Sequence, residues 1–140
     1  MITLEQYFGK FISHPDATEE AKDNAKRLLA ACAKLEVLAR EQGVNFLVNP
    51  STKSNVSGTQ YGGFRPKNCL IGAAKSSHKE GLAVDRYDPD GKMDAWCLAH
   101  SRAGEELEQC GIYIEHPNAT SSWSHWTIRP PHSGHRVFYP

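Results

Sequence analysis

The longest amphipathic stretch of the chain runs from Glu19 to about Gln42. There Ala21, Ala25, Leu28, Leu29, Cys32, Leu35, Leu38 and Ala39 fall on one side of a helical period. The stripe predicts a core-scaffold helix, with Thr18 opening it in an imperfect capping box and Gly43 stopping it. A short helix is predicted ahead of it through "LEQYFGKF", capped by Thr3, and "SHPDATEE" between the two reads as loop. After Gly43 the period shortens. "VNFLVN" reads as a strand, and the turn-rich "PSTKSNVSGTQYGGF" leaves room for a second short strand around Tyr61. "LAVDRY" predicts a strand with Leu82 and Val84 on one face and Ala83 and Asp85 on the other. "DPDG" marks a turn, after which Asp90 or Asp94 is expected to cap a helix through "AWCLAHSRAGEELEQCG". "IYIE" and "SHWTIR" predict two strands joined by "HPNATSSW", and the tail "PPHSGHRVFYP" is expected to run across the surface. Helices first, then short strands with one helix inserted, predict an α+β domain with an antiparallel sheet.

Composition narrows the function classes. A chain of 140 residues is expected to form one domain, residues 1–140, with a core that needs no staples, and to be a monomer. Sixteen Lys and Arg balance sixteen Asp and Glu, which argues against a nucleic-acid partner held by phosphate neutralisation. No apolar run reaches the length of a membrane span, so no membrane partner is expected. "MITLEQYFGKF" lacks the pattern of a signal peptide, which predicts a protein that is cytoplasmic on synthesis. Cys32, Cys69, Cys97 and Cys110 are scattered, so buried free thiols are expected rather than a thiolate zinc site or a disulfide framework. Seven histidines exceed what packing asks of such a chain, the first hint of metal chemistry.

His78, Asp85 and His125 form a two-histidine, one-carboxylate candidate set, and a catalytic zinc site takes three such ligands while leaving a position for water. Each also has an ordinary explanation, as a packed histidine or a turn-capping aspartate, and spacing alone leaves both open. "DPDGKMD" has the look of a calcium loop but lacks its length and terminal glutamate, so a turn and a helix start are expected. Trp96, Trp123 and Trp126 are expected in the core, with sugar stacking as the alternative; His132 and His135 are expected at the surface, with a cleft as the alternative.

"SSHKEGLAVD" fits the pattern S-x-H-x-x-G-x-A-x-D through Ser76, His78, Gly81, Ala83 and Asp85. Upstream stands "GGFRP" with Arg65; downstream stands "WSH", followed by the ending "PPHSGHRVFYP". Together these resemble the zinc D-Ala-D-Ala carboxypeptidase and L-alanyl-D-glutamate endopeptidase family, whose fold is shared with the hedgehog signalling domain. Small phage-type members are the closest in pattern, and the resemblance covers residues 43 to 140. It implies N-terminal helices packed on a small antiparallel sheet carrying zinc (Zn2+), with His78, Asp85 and His125 as ligands. It further implies that Arg65 faces a substrate carboxylate or the developing oxyanion, a task suited to a planar fork of donors. Ser76 is expected to support the turn, Gly81 to avoid crowding the backbone, and Ala83 to pack beside the metal.

Many relatives carry an Asp or Glu as general base three residues before the final histidine, where this chain has Ser122. Glu115 is the expected replacement. If "HPNATS" closes symmetrically about Ala119 and Thr120, Glu115 falls opposite Ser124 or His125 on the neighbouring strand. The expected activity is hydrolysis of peptide bonds in peptidoglycan stem peptides by an endolysin-type enzyme, acting in the host periplasm after phage-mediated release. The alternative is a non-catalytic zinc-containing module on the same fold, for cell-wall binding or virion and tail assembly.

Overall fold

A computed structural model describes every residue from Met1 to Pro140. Helix α1, Leu4–Phe8, opens on a full capping box: Gln6 N donates to Thr3 Oγ1 (3.1 Å) and Thr3 N to Gln6 Oε1 (2.9 Å). A 3-10 turn, Gly9–Phe11, completes the predicted first helix. Helix α2 spans Glu19–Glu41, and Thr18 Oγ1 accepts from Ala21 N at 3.1 Å, with no N3 carboxylate to reciprocate. Its end is a Schellman motif, in which Gly43 (φ 88°) donates to Arg40 O (3.1 Å) and Val44 N to Ala39 O (3.0 Å). Most of the predicted stripe is buried, while Leu29 and Leu38 sit at its margins.

The sheet has four strands: β1 Ala83–Tyr87, β2 Tyr113–Glu115, β3 Trp123–Thr127 and β4 Val137–Phe138, in the order β1-β3-β2-β4. β3 pairs antiparallel with β1 and β2, but β4 pairs parallel with β2. The sheet is therefore mixed, not antiparallel throughout. The tail does not merely cross the surface: Ile114 N donates to Arg136 O and His116 N to Phe138 O, both at 2.8 Å, making the tail an edge strand. β2 and β3 pair Tyr113 with Thr127 and Ile114 with Trp126, so one further step sets Glu115 opposite His125. That is the register expected from a symmetric loop.

Strand alternation sends Val84, Arg86, Ile114, Ser124 and Trp126 to the face that joins the helices in the core. The opposite face carries Asp85, His125 and Glu115 in one row across three adjacent strands. The packed face holds a feature with no local signature. Arg86, 1 % exposed, bonds to Glu36 Oε1 of α2 at 2.9 Å and to Asn55 Oδ1 at 2.7 Å. Its guanidinium also lies over Phe46 (4.9 Å) and Trp126 (4.7 Å).

Other expectations are corrected. Residues 44–49 are not a strand. Val44 and Phe46 turn inward as alternation requires, but apart from a bridge from Asn49 to Ser54 the segment has no strand to pair with. Nor is there a strand at Tyr61. The loop there binds the outer edge of β1 instead, through Tyr87 N to Asn55 O (2.8 Å), Ser57 N to Asp85 O (2.8 Å) and Asp85 N to Gly62 O (2.7 Å). The single predicted helix after "DPDG" is two, α3 Lys92–Ala99 and α4 Glu106–Cys110. Between them the side chains of Glu105, Glu108 and Gln109 bond to backbone groups of Arg102 and Gly104, an alternative that outcompetes a continuous helix. The α3 start is held chiefly by Asp88, which accepts from Met93 N (3.0 Å) and Asp94 N (2.9 Å). Asp90 accepts one bond from Lys92 N, and Asp94 lies buried within the helix. All four cysteines are free, but only Cys32 and Cys97 are buried; Cys69 and Cys110 are partly exposed.

Candidate metal centre

His78 sits in a 3-10 turn, Ser77–Glu80, whose first backbone bond is supplied by Ser76 Oγ accepting from His78 N at 3.2 Å. The turn closes on Gly81, whose φ of 77° and closeness to α2 both exclude a side chain; a Cβ there would lie 2.3 Å from Ala21 O. His78 Nδ1 meets the Gly63 carbonyl at 2.8 Å. The carbonyl can only accept, so Nδ1 carries a proton, and Nε2 is the nitrogen turned towards Asp85 and able to take a metal. Gly63 is itself pressed on α1, where a Cβ would fall 1.9 Å from Tyr7 O.

Asp85 Oδ1 lies 3.3 Å from His78 Nε2 and 2.9 Å from His125 Nδ1. The three donor atoms lie within 4.8 Å of one another, and the group could hold a metal ion. His78 and His125 are buried, and the Asp85 side chain is 13 % exposed. Burial alone would raise the Asp85 carboxyl, but the charge of His78 and hydrogen bonds to both imidazoles outweigh it and hold the group far below the usual carboxylate range. Burial disfavours a charged His125, yet the hydrogen bond and charge of Asp85, followed by the charge of Glu115, raise its pKa.

Arg65, 8 % exposed, has every nitrogen engaged: Nε with Tyr61 O (2.8 Å), Nη1 with Ile71 O (3.3 Å) and Nη2 with Asp85 Oδ2 (3.0 Å). Its fork is turned on the metal-site carboxylate and leaves Oδ1 facing the imidazoles. Glu115 Oε1 stands 3.9 Å from His125 Nε2, on the ring edge opposite Asp85. Ser122 is exposed and does not line the cleft around the cluster.

The cluster forms the floor of an open cleft of about 1040 Å³, walled on one side by residues 71–78 and on the other by the tail. Asp85 and Glu115 are the only acidic side chains that line it. His132 and His135 are exposed, as expected, and also line the cleft, as does Trp123, whereas Trp96 and Trp126 are buried in the core. Sequence reasoning missed Lys75 and Arg129 on the cleft wall. The alternation of Trp123, His125 and Thr127 along β3, carried two residues further, is a signal that could have found Arg129. No protein-family model matches the chain, and neither a curated protein nor a solved structure matches it significantly.

Proposed function

We propose that the chain is a zinc peptidase that hydrolyses peptidoglycan stem peptides, on a fold of the hedgehog/DD-peptidase type. The observation that carries this reading is the convergence of His78 Nε2, Asp85 Oδ1 and His125 Nδ1 at the floor of an open cleft, with another carboxylate beside them. Zinc takes two imidazole nitrogens and one carboxylate oxygen readily, whereas calcium favours an all-oxygen set. Tetrahedral zinc with bonds of about 2.0–2.1 Å separates neighbouring ligand atoms by about 3.3 Å. The two separations from Asp85 Oδ1, 3.3 and 2.9 Å, are close to that spacing before any ion draws the donors together. Three protein donors leave room for water and substrate, which favours catalysis over a closed structural site.

Zinc bound here would supply a Lewis acid and bring a water's pKa towards neutrality. The chain's own groups do the rest. Gly63 O holds the Nδ1 proton of His78, Arg65 holds Asp85, and Glu115, beside His125 Nε2, is the cleft carboxylate not bound by Arg65 and the one to accept a proton and pass it to the departing amine. In an endolysin-type role the enzyme would reach its cell-wall target through a phage-made membrane lesion.

Purified protein should hold about one zinc per chain and release new amino groups from purified peptidoglycan. Glu115→Gln should keep zinc and fold while losing at least ~100-fold in turnover. Zinc loss in that variant would instead make Glu115 the orienting partner of His125 Nε2. A wild-type protein that binds no zinc and releases no amino groups would overturn the reading.

A further inference from the structure

The cleft needs a cation to recognise an acidic peptide, and Arg65 is buried with each of its nitrogens already bonded within the protein and its charge turned on Asp85. Arg129 has. Its Nη1 is fixed by Lys75 O and by Glu80 Oε2, both at 3.1 Å, while Nε and Nη2 make no bond within the protein. The side chain is 40 % exposed, and the exposed Lys75 lines the same wall. Pro130 and Pro131, which follow directly, have fixed φ angles that stiffen the backbone behind the guanidinium. Acidic groups leave this end of the cleft net positive: Asp85 is paired with Arg65, Glu115 faces His125, and the Glu80 carboxylate offsets only one of the two charges of Arg129 and Lys75. Arg129 follows His125 by four residues, at most about 13 Å along an extended chain, a span that a bound peptide covers in about four residues.

We propose that Arg129, with Lys75 beside it, forms the subsite that recognises a substrate carboxylate within about four residues of the scissile bond, selecting acidic peptides. The proposal rests on the peptidase reading for its substrate, but binding tests it without turnover. The two free guanidinium nitrogens match a carboxylate side-on, and the ammonium adds a point charge.

The test is an NMR titration of the as-purified protein with three probes. They are acetylated tetra-alanine with a free C-terminal carboxylate, the same peptide as its amide, and an amidated version carrying one glutamate. At least one carboxylate peptide should bind about tenfold more tightly than the neutral amide, a loss typical of one charge-assisted contact. Which of the two it is tells whether a terminal or a side-chain carboxylate is read. The advantage should fall with added salt and vanish in Arg129→Gln/Lys75→Gln, whose zinc content should equal that of wild type because neither residue is a ligand. Equal binding of all three peptides to wild type, or preference surviving in the double variant, would overturn the proposal. Carboxylate preference in a protein that holds no zinc would keep the subsite and remove the peptidase reading instead.

Discussion

Replacing Glu36 by Gln tests how the helical layer supports the metal site. Glu36 is 2 % exposed and is the only anion bonded to the Arg86 guanidinium. It also lies 3.6 Å from Arg40 Nη2 and 3.5 Å from the Met1 amine. Removing one partner of a buried ion pair costs about 3–5 kcal/mol, because the other charge stays desolvated. Arg86 would retain Asn55 Oδ1 and the faces of Phe46 and Trp126, which places the expected loss near the lower end, about 3 kcal/mol. Globular proteins unfold with about 2.1 cal/mol/K per residue, so a chain of 140 residues loses roughly 10 °C in Tm for such a change. Differential scanning calorimetry measures this directly. Replacing both partners, Glu36→Leu with Arg86→Met, should recover much of the loss, since no uncompensated charge remains. A drop of less than about 3 °C for Glu36→Gln would refute the reasoning, because it would leave less than about 1 kcal/mol for the pair. Arg86 adjoins Asp85 on β1, so zinc affinity should weaken in the single variant alongside stability.

Two further outcomes follow from the site and its surroundings. Arg65→Lys should bind zinc about 10–100-fold more weakly than wild type, much as Arg65→Ala does, because one ammonium cannot span the acceptors of Tyr61, Ile71 and Asp85; wild-type affinity in a chelator competition would refute an orienting role. Burial raises the Asp94 pKa against the hydrogen bond that Thr120 Oγ1 donates to Oδ2, and Asp94 Oδ1 has no partner. The folded state therefore keeps this proton at pH values where the unfolded chain has lost it, and stability falls as pH rises through the raised value. Asp94→Asn should flatten that decline in urea midpoints measured from about pH 4 to about pH 8, leaving the part due to Asp88, which burial also raises; an unchanged slope would refute the assignment.

Local chemistry wrote much of this fold into the sequence. Thr3, Thr18 and Gly43 mark helix ends by groups that act within a few residues, and the structure has them where expected. The β2–β3 register was legible because a short loop leaves few ways to close, and a one-residue slip would turn Glu115 away from His125. His78 and Asp85 are close in sequence, joined by a turn and a strand, so their meeting could be anticipated. What escaped depends on distant partners. Val44 and Phe46 alternate like a strand but find no ladder, a fact set by the loop that already occupies β1. Arg86 and Glu36 lie 50 residues apart and follow the periods of two different elements, so no pattern announces their pairing. Arg65 was legible as a candidate, but the direction of its guanidinium was not: it depends on carbonyls of Tyr61 and Ile71 that no motif encodes. The tail's two-residue strand is too short to show alternation at all.

The way the sheet ends has a consequence for the protein in crowded surroundings. An unpaired strand edge is a template on which another chain can grow, the first step towards fibrils or precipitation. At one border the loop from Asn55 to Gly62 already occupies the outward amides of Asp85 and Tyr87 and the carbonyl of Asp85. At the other border β4 is only two residues long, Val137 and Phe138, and its outward edge is correspondingly short. Neither side presents a run long enough to recruit a neighbour's backbone. A four-stranded sheet that keeps one face open to solvent for its cleft is thereby guarded against sideways polymerisation by a covering loop and a two-residue edge strand.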